Sequence, residues 1–172
     1  MILDAFKDKV IPFLNEGRDL PVNFVWGDSS YIREYLFTLK KSSSTAPFRF
    51  PLIGLYSPFD EVVRNGETTV NVSLILAVNT LPNYTNEQRL EVSFKSVLRP
   101  LYNDFIEALK NVRMFDVPYS GLFNHTYTEN FSFGKRGALD VDGKEIDEKI
   151  DVIEIKNLEL NFKPLNCYAK RL

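Results

Sequence analysis

Thr85 to Val112 reads TNEQRLEVSFKSVLRPLYNDFIEALKNV. Leu90, Phe94, Val97, Leu98, Leu101, Phe105, Ile106 and Leu109 recur at spacings of three and four, so one face of a long helix is apolar. Thr85 and Gln88 stand at capping-box spacing, where a hydroxyl and an amide each satisfy an orphan backbone N–H. Glu91 precedes Lys95 by four residues, the favourable order for a charge pair on the outer face. Pro100 interrupts the pattern. It offers no N–H to the Ser96 carbonyl and its ring crowds that turn, which predicts a kink.

Working outward, residues 2–15 read as a second helix. Ile2, Leu3, Phe6, Val10, Phe13 and Leu14 share a side, and Gly17 stands where a C-terminal cap belongs. Val22 to Trp26 alternates as a strand, with Val22, Phe24 and Trp26 facing one way. Gly27-Asp28-Ser29-Ser30 breaks it, and Ser29 or Ser30 can cap a helix over about Tyr31–Lys40. A strand competes there, because Tyr31, Ile32, Tyr35, Leu36 and Phe37 are not strong helix formers as a group. Ser42-Ser43-Ser44-Thr45 is a solvated loop. Arg49 to Tyr56 reads as a short buried strand with Pro51 at its start or an edge, and Gly66 as a turn. Thr69 to Thr80 is the clearest strand, with Val70, Val72, Leu74, Leu76 and Val78 on the core face. Residues 113–148 look irregular. Ile150 to Phe162 closes the chain as a strand whose apolar set changes from odd positions (Ile153, Ile155) to even ones (Leu158, Leu160, Phe162). A β-bulge near Lys156-Asn157 restores one buried face. The fold class that follows is α+β: a mixed or antiparallel sheet of about four main strands, with helices packed on one face, the kinked 85–112 helix and the N-terminal helix among them.

The chain has 172 residues, which suits one domain with a real core. Its 44% hydrophobic content argues against disorder, and a net charge of −2 gives no electrostatic reason to expect nucleic acid or an anionic membrane. With one cysteine, Cys167, no internal disulfide can form. The start Met1-Ile2-Leu3 runs directly into Asp4, Lys7, Asp8 and Lys9, unlike a signal peptide. The longest apolar run, Leu74 to Val78, falls far short of the roughly 20 residues that span a bilayer. Folding in a reducing cytoplasm is the expectation.

Catalytic material is scarce, and the expectation is neither enzyme nor cofactor. His125 is the sole histidine and lacks a visible triad or metal partner. Asp140, Asp142, Glu145, Asp147, Glu148 and Asp151 form an acidic cluster. Asp140-Val141-Asp142-Gly143 opens like a calcium loop, but the third early oxygen ligand and the glutamate at position twelve are missing. A hairpin turn is the plainer reading of Asp-Gly. Gly134-Lys135-Arg136-Gly137 lacks the spacing and ending of a phosphate loop and reads as an exposed basic turn that could meet an acidic partner. The four Asn-x-Ser/Thr sequons matter only on a secretory route. Tyr119, Phe123, Tyr127, Phe131 and Phe133 are harder to place. They either close over the core or form a subunit interface, where aromatics are enriched.

The order of several segments resembles a group of small structural proteins from bacteriophage and prophage gene clusters. Phe50-Pro51-Leu52-Ile53-Gly54-Leu55 is similar to that group's Tyr-Pro-Leu-Ile-x-Leu strand. Asn86-Glu87-Gln88-Arg89 and Val97-Leu98-Arg99-Pro100-Leu101-Tyr102 resemble its long helix, Phe133-Gly134-Lys135 its aromatic-glycine-lysine turn, and residues 151–160 its closing strand. The likeness runs over about residues 22–162. In size and strand–helix order the group is similar to tail-terminator and tail-completion proteins, whose subunits form rings, often hexameric, on the tail tube or at the neck. The resemblance implies a virion protein assembled in the bacterial cytoplasm, with itself and tail or neck proteins as partners. A closed ring needs two unlike complementary patches on each subunit. The 42–49 loop and the 119–137 segment are the expected ones, with Tyr119, Phe123, Tyr127, Phe131, Phe133, Lys135 and Arg136 as interface residues. Two rival classes stand beside it: a metal-dependent hydrolase using the 140–151 carboxylates, and a monomeric adaptor binding through a sheet edge.

Overall fold

The computed structural model describes the backbone of residues 1–41, 50–133, 138–139, 145–146 and 149–163, and the side chains of 1–36, 50–133 and 149–163. Helix α1 spans residues 2–15, strand β1 is Asn23–Gly27, and helix α2 is Ser29–Lys41. Strands β2 (Leu52–Arg64) and β3 (Glu67–Asn79) form a long hairpin, followed by helix α3 over residues 86–111. Then come β4 (Phe115–Asp116), β5 (Thr126–Asn130), the short strands β6 (Ala138–Leu139) and β7 (Glu145–Ile146), and β8 (Ile150–Phe162). The sheet order is β1-β2-β3-β8-β4, with β5 also on the outer side of β8. β1 runs parallel to β2 and every other pairing is antiparallel.

The period-two pattern puts alternate residues into two apolar clusters. Ile53, Leu55, Val70, Val72, Leu74, Leu76, Ile153 and Ile155 face α1 and α3. Leu52, Ile75, Ala77, Ile150 and Val152 face the other way, against Ile32 and Leu36 of α2. Helices therefore cover both faces and not the one that the sequence predicts, two on one side and α2 on the other, because the sheet carries apolar residues at alternate positions on each side. Gly54 makes that second layer possible. A Cβ there would lie 2.9 Å from Ile32 Cγ2 and 3.0 Å from Ile75 Cγ1, so a side chain would force Ile32 of α2 to shift. Phe6, Phe94, Phe105 and Phe115 are all fully buried, each contributing about 1.5–3 kcal/mol relative to exposure.

The long helix begins as its sequence reads. Gln88 N–H donates to Thr85 Oγ1 (3.2 Å), and Thr85 N–H donates to Gln88 Oε1 (2.9 Å). Lys95 Nζ reaches Glu91 Oε1 at 2.5 Å. Ahead of Pro100, where the sequence predicts a kink, the helix shows π-type bonding over Leu90–Leu98, with Arg99 N–H reaching back five residues to Phe94 O. α-Pairing resumes over Arg99–Asn111 with Pro100 in its first turn. Helix α1 does the same before Pro12: Phe6–Val10 is π-helical, Ile11 N–H bonds Phe6 O, and Pro12 opens the last α-turn. Five-residue bonding shifts each carbonyl's donor by one position, which eases a residue with no N–H into a continuous helix.

Three boundaries differ from the sequence reading. The α2 cap is Asp28, whose Oδ1 accepts from Ser30 N–H (2.8 Å) and Tyr31 N–H (2.9 Å), so neither Ser29 nor Ser30 is needed. β2 is a 13-residue strand, because Asn65 (φ 52°) and Gly66 (φ 83°) make a two-residue turn that returns the chain directly into β3. Its ladder shifts register between Tyr56 and Asp60, where Pro58 offers no donor. The irregular stretch also supplies a real strand, β5, paired to β8 from Thr126↔Lys156 to Asn130↔Val152. The bulge in β8 lies where the apolar phase changes: Val72 opposes Leu158 and Leu74 opposes Ile155, with Asn157 at φ 54°.

Candidate functional site

Two of the candidate residues, His125 and Asp151, are held by hydrogen bonds within the fold. Tyr102 O–H and His125 Nε2 lie 2.8 Å apart, and His125 Nδ1 lies 2.8 Å from Phe123 O. A carbonyl only accepts, so Nδ1 carries the proton and Nε2 accepts from the tyrosine. Asp151 is completely buried and ion-paired to Arg89, whose Nε donates to Asp151 Oδ1 at 2.9 Å. Arg89 Nη2 also reaches Asp151 Oδ1 and Phe131 O, and its guanidinium lies 5.4 Å over the Phe131 ring. This pair ties the first turn of α3 to β8. The other acidic candidates fall differently. Asp140, Asp142, Asp147 and Glu148, like Cys167, lie outside the described residues, as does the side chain of Glu145. β6 and β7 pair antiparallel, Ala138 against Ile146 and Leu139 against Glu145, while the Asp142-Gly143 turn expected from the sequence lies outside the described residues. Among the described residues no group of three or more His, Cys, Asp and Glu could hold a metal ion.

The seven expected interface residues divide sharply. Phe123 packs in the α1–α3 core and Phe133 in the α2 core. Phe131 stacks on Phe94 with centroids 4.2 Å apart. Those three rings close over the sheet, the alternative that the sequence left open, and in the single chain they do not face a partner. Tyr119 is fully exposed, and Val117 and Leu122 beside it are 40% and 67% exposed. They decorate a turn closed by Gly121 N–H to Pro118 O at 2.7 Å. Tyr127 is part exposed. Lys135, Arg136 and the whole 42–49 loop lie outside the described residues.

Tyr127 belongs to a polar network that pins β5 onto α3. Its hydroxyl donates to Glu129 Oε1 (2.7 Å), and Arg99 grips both oxygens of Glu129 through Nε (2.7 Å) and Nη2 (3.1 Å). The Arg99 hydrogen bonds hold the Glu129 carboxyl below its ordinary range, against the opposing effect of burial. Burial, followed by Glu129, pushes the Tyr127 phenol up.

The opposite margin of the sheet carries a feature that the motif search did not find. β1 is an edge strand. Asn23 N–H bonds Pro51 O at 2.9 Å, so in this parallel pair Asn23, Val25 and Gly27 bond to β2, while Val22, Phe24 and Trp26 point their backbone groups outward. Asn15 occupies Val22: its Nδ2 donates to Val22 O (3.0 Å) and its Oδ1 accepts from Val22 N–H (2.7 Å). Beside the remaining edge lies an open groove of about 750 Å³, lined by Phe24, Trp26, Asp28, Tyr31, Tyr35 and Ser57. Phe24 stacks with Trp26 at 5.9 Å and Tyr31 with Tyr35 at 6.3 Å. Trp26 is 41% and Tyr31 50% exposed, and Lys7 Nζ sits 5.8 Å from the Trp26 ring centre. The signal in the sequence was the lone tryptophan at the end of a strand, which alternation groups with Val22 and Phe24 and which the fold leaves 41% exposed.

No protein-family model, curated protein or solved structure matches this chain. Among the described residues no helix is long and apolar enough to cross a membrane.

Proposed function

We propose that the protein is a non-enzymatic structural subunit that forms a ring at the tail–neck junction of a bacteriophage particle. The observation that supports assembly is the unlikeness of the two lateral margins of one sheet. One margin offers the β1 edge and an aromatic groove; the far margin offers a turn bearing exposed Val117, Tyr119 and Leu122. Two different patches on opposite sides of a stiff body are what a head-to-tail contact requires, and such contacts form a ring when the rotation between copies closes. Placement on a phage tail rests on the resemblance of residues 22–162 to phage structural proteins. Light scattering over a wide concentration range, with and without assembled tail tubes, tests the reading. A closed oligomer of fixed copy number, alone or on tubes, is expected. A monomer under every condition that also ignores tubes overturns it.

The two residues of the β1 edge beyond the Asn15 contact, Phe24 and Trp26, favour one other reading, an adaptor that takes a short partner segment beside its sheet. Such a protein stays monomeric at all concentrations and binds its partner one to one.

A further inference from the structure

We infer that the β1 groove receives the 116–122 turn of a second copy of this chain. The inference rests on the ring reading and names its contact. The groove is lined by apolar rings, two outward-facing backbone residues and the Asp28 carboxylate, which is engaged in capping α2, while a cation, Lys7, stands over the Trp26 ring at its rim. The turn presents the complement: Tyr119 and Leu122 fully or largely exposed, with a carboxylate, Asp116, at its base. Neither Lys7 nor Asp116 has an oppositely charged partner among the described residues. Groove and turn lie at opposite ends of the strand order, so a copy cannot fill its own groove. Four interstrand steps of about 4.8 Å put roughly 19 Å of sheet between them. The turn is closed by the Gly121–Pro118 hydrogen bond, with Gly121 at φ +70°. A tyrosine plugging an aromatic pocket is the usual form of an interface anchor.

The contact is head-to-tail, and that gives a sharp experiment. Tyr119→Asp destroys the turn and leaves the groove; Trp26→Ser destroys the groove and leaves the turn. Each variant alone should need roughly tenfold or more protein to assemble. Mixed, they should form a one-to-one pair that grows no further, because the intact groove of one takes the intact turn of the other. Lys7→Glu and Asp116→Lys should each weaken assembly, and the double variant should regain it. Circular dichroism and thermal melting check that each variant is folded. Should Tyr119→Asp, Asp116→Lys and Lys7→Glu all assemble like the parent, the docking contact is wrong while the ring stands. A folded parent that never assembles, on tubes or off, removes both.

Discussion

Arg89→Met should be among the most damaging single changes in the chain. Arg89 is 2% exposed and Asp151 is wholly buried. The guanidinium gives Asp151 Oδ1 its hydrogen bonds from both Nε and Nη2, while Asp151 Oδ2 has no partner among the described residues. Without the arginine, a buried carboxylate loses both of these donors, and the Phe131 carbonyl loses one as well. Breaking one side of such a pair costs about 3–5 kcal/mol. Against a usual total of about 5–15 kcal/mol, that is a large share of the stability of the fold. At about 2–4 °C per kcal/mol for a chain of this size, the melting point should fall by about 6–20 °C. The double variant Arg89→Met/Asp151→Leu replaces both charges with apolar groups. It should recover more than half of the loss, short of the about 1–3 kcal/mol charged to the orphaned Phe131 carbonyl. Urea unfolding followed through Trp26 fluorescence and far-UV circular dichroism measures both. A cost under about 1 kcal/mol for Arg89→Met, or a double variant no better than the single, would refute the claim that charge burial governs this site.

Three further outcomes follow from the same structure. Thr85→Ala removes the hydroxyl half of the α3 capping box and should cost about 1 kcal/mol in denaturant midpoint analysis, with no change in oligomer size. Glu129 has a depressed folded pKa, so its contribution is complete above the ordinary glutamate range and is lost as pH falls through the lowered value. Stability measured from pH 7 to pH 3 should therefore decline less steeply in Glu129→Gln than in the parent, and parallel curves would contradict the Arg99 grip. Phe123→Ala empties a site in the core and should cost about 3–5 kcal/mol, while Tyr119→Ala, wholly exposed, should leave monomer stability within about 0.5 kcal/mol. Thermal melts of the two variants separate the buried rings of the 119–133 segment from the presented one.

Where apolar spacing was long and regular, the sequence was enough. β3, β8 and α3 each repeat their pattern over a dozen residues or more, and even the bulge at Asn157 shows as a change of phase. Local signals competed where the reading slipped. Asp28 and two serines all make good caps, and only the hydrogen bonds choose Asp28. Asn65-Gly66 is a strong turn pair, but the exposed second half of β2 offers no apolar alternation to announce a strand. Phe123, Phe131 and Phe133 could not be told from interface rings, because their burial depends on α3, α1 and α2, which are distant in sequence. The groove was illegible for the same reason: Phe24, Trp26, Tyr31 and Tyr35 form it only when β1 meets the first turns of α2.

The Asn15 amide, which satisfies both outward groups of Val22, also acts as a stopper. A neighbouring chain that tried to zip along β1 would find only Phe24 and Trp26 free, too short a template to propagate a cross-chain ladder. At high protein concentration, that one side chain biases self-contact towards finite particles and away from fibres. An Asn15→Ala chain should therefore be the one that clouds on standing.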